Sequence, residues 1–124
     1  MAKYKISDSF IAARVNEAHA AAAAGKRRTR IFYDDHKNAP PGFGVRVTAA
    51  GGVSFVLNYY ATGAERRLTI GPYGPDPALS ITAARKEAAK VRALVLAGRD
   101  PLGERREAQR AAEAGADEDD VEAL

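Results

Sequence analysis

In SFVLNYYATGAERRLTIG, residues 54–71, strict alternation puts Asn58, Tyr60, Arg67 and Thr69 on one side of two extended runs. Arg46 stands at the same phase of the run before them, GFGVRVT. These residue types are suited to reading base edges. A guanidinium donates two parallel hydrogen bonds to guanine O6 and N7, a carboxamide pairs with adenine N6 and N7, and threonine serves either base. Arg46 and Arg67 are therefore the candidates for guanine, Asn58 for adenine, and Tyr60 and Thr69 complete the face. The plainer reading is that an open sheet face is polar in any case. Against it stand Val56 and Tyr60, at the same phase, because exposed apolar groups beside basic ones mark contact surfaces. The same pair supports a reading of another class, a protein-docking face. Salt separates the two, since phosphate contacts weaken steeply as salt rises and an apolar contact does not.

A second group of residues fits the nucleic-acid reading. Lys26, Arg27 and Arg28 form a basic cluster in GKRRTR, and Arg66 precedes Arg67; beside a base-reading face such cations meet phosphates. The net charge of +3 conceals an asymmetry, because Glu113–Leu124 holds six acids and no base. Residues 1–112 alone carry 19 bases against 10 acids, a net +9 that favours a polyanionic partner. Other chemistries lack their groups. The chain has no Cys and two His, too few for a thiolate or histidine metal site, so no metal or other cofactor is expected. His19 lies in an alanine-rich helical run and His36 beside Asp35 in a loop, and each is expected to be a surface histidine rather than a general base. Asp34 and Asp35 are adjacent, so on a strand they point to opposite faces, and a strand-end or loop-capping role is expected of them. GFG and GPYG lack the strand-to-helix context of a phosphate-cradling loop. No catalysis by this chain is expected. No apolar run approaches the ~20 residues that span a bilayer, and the reading is a soluble, cytoplasmic protein.

The elements that must hold these residues follow from periodicity and punctuation. Residues 7–24 predict a helix capped by Ser7 or Asp8 and stopped at Gly25, with a weak apolar stripe that would pack loosely. RIFYD predicts a first strand, and DDHKNAPPGFG a loop. Phe43, Val45 and Val47, then Phe55, Leu57 and Tyr59, then Leu68 and Ile70 alternate inward across turns at AAGG and ATGA, an antiparallel meander. A helix from about Ile81 to Ala97, capped by Ser80 and ended by Gly98, carries Ile81, Ala84, Ala88, Val91 and Val95 on one stripe to cover the sheet. The fold class is α+β: a small antiparallel meander of three to four strands packed on one C-terminal helix, with an additional N-terminal helix. Three segments follow, residues 1–29 as helix and basic linker, 30–98 as the sheet-and-helix domain, and 99–124 as a charged tail, helical in part and disordered at its acidic end.

The ordered series PGFGVRVTAAGGVSFVLNYY, ERRLTIGPYG and SITAARKEAAKVRALVLAGRDPLGERRE resembles the N-terminal arm-type DNA-binding domain of phage and genomic-island integrases, the tyrosine recombinases, from about Ile6 to Glu107. The resemblance implies a small sheet packed on one helix. The sheet's open face would insert in the major groove of arm-type sites on attachment DNA, with Arg46, Asn58, Tyr60, Arg67 and Thr69 on it and Lys26, Arg27, Arg28 and Arg66 on phosphates. It further implies an association with the bacterial nucleoid, a monomeric isolated domain, and other integrase subunits or accessory factors as further partners. Relatives continue into core-binding and catalytic domains. None of Tyr4, Tyr33, Tyr59, Tyr60 or Tyr73 lies where their nucleophile would, so the chain is expected to be a fragment of an integrase, or a naturally short relative acting as a DNA-binding regulator.

Overall fold

The computed structural model describes residues 2–122, with side chains to residue 115. Its elements are β1 (Lys3–Tyr4), α1 (Asp8–Ala23), β2 (Arg30–Asp34), β3 (Phe43–Val47), β4 (Val53–Ala61), β5 (Ala64–Pro72), α2 (Ile81–Leu96) and α3 (Pro101–Glu122). The strands form one sheet in sequence order, antiparallel from β2 to β5. The fold class is α+β, but the expected three to four strands become five. The addition is β1, which pairs parallel to β2 through Lys3 with Tyr33 and Tyr4 with Asp34. At two residues it is too short to show any alternation.

The meander closes where its turn residues allow. Between β4 and β5, Thr62 and Gly63 both take positive φ, 52° and 77°. That is the two-residue hairpin geometry whose twist matches the strands it joins. The inward side chains Phe43, Val45, Val47, Phe55 and Leu57 meet Ile11 of α1 and Ile81, Ala84 and Ala88 of α2 in one buried core. Ala84 and Ala88 are fully buried, and such small side chains let the helix axis come close to the sheet. Both helices begin on a serine cap, Ser7 Oγ accepting from Phe10 N and Ser80 Oγ from Ala83 N, each at 3.1 Å. A cap of this kind satisfies one of the amides that the first turn leaves unpaired.

Helix α1 has a better hold than its alanines imply. Ile11 is buried, and Phe10 packs on Tyr4 and Phe32 with ring centroids 5.6 and 5.4 Å away. The Arg14 guanidinium lies 4.8 Å from the Phe10 ring centre, so a cation and three aromatics replace the missing apolar stripe. On α2, Arg85 lies outside the apolar stripe and yet reaches inward. Its Nε donates to Asp34 Oδ2 at 2.7 Å, with the Asp34 side chain fully buried and that of Arg85 only 13% exposed. Asp34 Oδ1 accepts from His36 N at 3.1 Å, so the same carboxylate also caps the end of β2.

The last segment starts as a capped helix. Asp100 Oδ1 accepts from Gly103 N at 3.2 Å and from the Tyr59 hydroxyl at 2.7 Å, and that hydroxyl in turn accepts from Leu102 N at 2.8 Å. Tyr59 thereby fastens α3 to β4. The acidic side chains from Asp117 onward, and the disorder expected of that end, lie outside the described side chains.

Candidate nucleic-acid interface

The register sorts the outward side chains into rows. Ile31, Arg46 and Ser54 form one, Tyr33, Gly44, Val56 and Thr69 the next, then Asn58 with Arg67, then Tyr60 with Glu65. The sheet thus gathers Arg46, Asn58, Tyr60, Arg67 and Thr69 on a single face, the one turned away from the core shared with α1 and α2. Thr69 and Arg67 are exposed, Arg46 and Asn58 half-buried, and Tyr60 is 74% exposed. Among the described residues Arg46 and Arg67 have no carboxylate partner within 4.0 Å. Their charge remains available to an incoming anion or base edge.

Val56 departs from expectation. It shares this face but is fully buried, and it is not part of the core on the other side. Its register neighbours are Thr69 and Gly44, and across the side-chain-free Gly44 the Tyr33 ring reaches toward Asn58, over the row that holds Val56. The exposed apolar character of the face therefore rests on Tyr60 rather than on a Val56–Tyr60 patch.

Polar contacts order the face. Asn58 Nδ2 donates to the Tyr33 hydroxyl, and Arg67 Nε donates to Asn58 Oδ1 at 3.1 Å. Tyr33, on β2, had no assigned role in the sequence reading, yet the buried positions of Phe32 and Asp34 put it outward by the same alternation used for β3 to β5. Tyr33, Gly42, Asn58 and Tyr60 of this face border a pocket of about 270 Å³ at the end of the sheet, which also takes in Tyr59 and Arg92 of the covered side.

The expected phosphate contacts divide in two. Lys26, Arg27 and Arg28 are exposed on the link between α1 and β2, and Arg28 joins Arg14 and Arg30 around a cavity of about 260 Å³ over Phe32 and Val47. Arg66 has the inward phase of Leu68, opposite Tyr59, and its Nη2 lies 3.6 Å from Asp100 Oδ2. It belongs to the junction with α3. There the Tyr59 hydroxyl and the Gly103 amide hold the Asp100 carboxyl below its ordinary range, while burial, then the hydrogen bond to Asp100, pushes the Tyr59 phenol up.

Among the described residues no cluster of His, Asp and Glu could hold a metal ion, and no helix is long and apolar enough to cross a membrane. The model of the family described as arm DNA-binding domain matches residues 7–108, from the cap of α1 into α3, and so covers every residue of the outward face. Neither the curated proteins nor the solved structures give a match.

Proposed function

The chain belongs to the arm DNA-binding domain family, and from that premise we propose that it binds arm-type sites on double-stranded DNA as the non-catalytic module of a phage-type tyrosine recombinase. In this reading β3, β4 and β5 enter the major groove with their outward face down. The dimensions agree: three strands about 4.8 Å apart present a surface roughly 10 Å across to a groove about 12 Å wide. One observation carries the proposal, the gathering of two arginines without carboxylate partners, an asparagine, a threonine and an exposed tyrosine on the face opposite the helix-covered core. Arg46 and Arg67 would read guanine, Asn58 adenine, with Tyr60 and Thr69 beside them, while Lys26, Arg27 and Arg28 track phosphates. Arg66 would act on DNA through its junction with Asp100, by holding β5 in place. The module would position attachment DNA for integration or excision in the bacterial nucleoid. Bond breaking and rejoining would fall to a catalytic domain elsewhere in the recombinase.

A titration with duplex DNA, followed by amide chemical shifts, tests this directly. Shifts should gather on β3–β5, and affinity should fall steeply with salt. Arg67→Ala should weaken the specific site by about 1–3 kcal/mol and relax preference at one base pair, whereas Arg27→Ala should weaken all sequences alike and lower the salt slope by about one. Unchanged affinity for the specific site in both variants would falsify the assignment. Binding to a protein partner with no salt dependence would favour the docking reading, for which burial of Val56 leaves only Tyr60 as an exposed large apolar group on the face.

A further inference from the structure

Asn58 can read adenine only if its amide has the right way round, with Oδ1 toward N6 and Nδ2 toward N7. An amide that rotates freely presents the two orientations about equally and discriminates poorly. Here both ends are held. The Arg67 guanidinium can only donate, so its Nε, 3.1 Å away, fixes the carbonyl end of Asn58. The other end then faces β2, where the Tyr33 hydroxyl accepts from Nδ2. Each end keeps a valence: Nδ2 has a second hydrogen and Oδ1 a second lone pair. Asn58 is half-buried rather than closed over, and it lines a pocket together with Tyr33, Gly42 and Tyr60.

The contact from Tyr33 to Asn58 skips a strand, since the first lies on β2 and the second on β4. It can do so because the chain offers no side chain at the outward positions between them, Gly42 and Gly44. Gly44 stands in register between Tyr33 and Val56, and Asn58 N donates to Gly42 O at 2.9 Å. Neither position tolerates a Cβ. At Gly42, where φ is +85°, it would run into the Asn58 carbonyl, and at Gly44 it would lie 2.6 Å from the Phe32 carbonyl. PGFG therefore opens a lane across β3 for the tyrosine ring.

We propose that Tyr33 is a specificity-determining positioning residue, which together with Arg67 locks the Asn58 amide in the orientation that selects adenine in the major groove. The proposal rests on the DNA reading above, and its test separates the two. Duplexes selected from a random pool by the wild-type chain should share adenine at one position. Tyr33→Phe, which removes only the hydroxyl, should lower that preference about three- to tenfold, the worth of one hydrogen bond. Its salt slope, its affinity for non-specific duplex and its urea midpoint should stay unchanged, as a merely structural role would not allow. In an Asn58→Ala background, Tyr33→Phe should change nothing further. Selection that shows no adenine position, or one that Tyr33→Phe leaves intact, overturns the role of Tyr33 while the DNA reading stands. A wild-type chain that binds no duplex at all overturns both.

Discussion

Tyr33 and Asp34 are neighbours on β2, and the two faces of the sheet differ as these two residues do. Asp34 turns inward, is fully buried and gives both carboxylate oxygens to partners within the fold, Arg85 and the His36 amide. Tyr33 turns outward and accepts from Asn58, which is half-buried and keeps a second amide hydrogen and a second carbonyl lone pair. On the covered face the buried carboxylate of Asp34 has both oxygens occupied and serves stability. On the open face the Asn58 amide is ordered but unsaturated, which is the condition for recognising a ligand, because a base edge can complete hydrogen bonds whose geometry is already set. The difference implies a separation of effects: inward changes should alter stability and leave base preference alone, and outward changes should do the reverse.

The strongest attempt to break that separation is Arg85→Ala. It leaves a buried carboxylate with its charge uncompensated, which should cost about 3–5 kcal/mol, read as a fall in the urea midpoint. The fraction that remains folded should select the same DNA sites as the wild type. A changed site preference in that folded fraction would show that the two faces are coupled through β2.

Tyr59→Phe comes next in size. The hydroxyl it removes joins Asp100 to the Leu102 amide, and a part-buried donor left without a partner costs about 1–3 kcal/mol. The same variant should alter the acid side of stability. Asp100 has a lowered folded pKa, first through the Tyr59 hydroxyl and then through the Gly103 amide. Its contribution is therefore complete above the ordinary aspartate range, near pH 4, and is lost as pH falls through the depressed folded value. Melting curves followed by circular dichroism between pH 7 and pH 3 should show this loss in the wild type and a smaller one in Tyr59→Phe.

Much of the covered face was legible because alternation reports direction. Phe43, Val45, Val47, Phe55, Leu57, Tyr59 and Leu68 are all buried, and Ser7, Ser80 and Gly98 bound their helices as their chemistry requires. Direction is not depth, however, and Val56 shows the gap: it points outward and is still covered. Reach is also invisible to periodicity. Arg85 sits off the stripe of α2, but a long side chain bends its head to a carboxylate 51 positions earlier in the chain. The contact of Tyr33 with Asn58 depends on glycines, Gly42 and Gly44, at the outward positions of the chain between them, a relation among three strands that no single segment encodes.

The smallest expected effect divides a single residue between the two regions. The Thr69 side chain lies on the open face, opposite Val56, while its carbonyl accepts from Arg105 Nη1 of α3 at 3.3 Å. Since β5 is the edge of the sheet, that bond covers a backbone group with no neighbouring strand to take it. Thr69→Ala removes the side chain and keeps the carbonyl. Stability should change by less than about 0.5 kcal/mol, as for an exposed site. Discrimination at one base pair should weaken by less than the roughly 1–3 kcal/mol of a bidentate contact, because a hydroxyl supplies one bond rather than two. Competition binding with single-base-pair variants of the selected site would resolve it. A loss of stability with no change in discrimination would move Thr69 to the structural side and narrow the reading face to Arg46, Asn58, Tyr60 and Arg67.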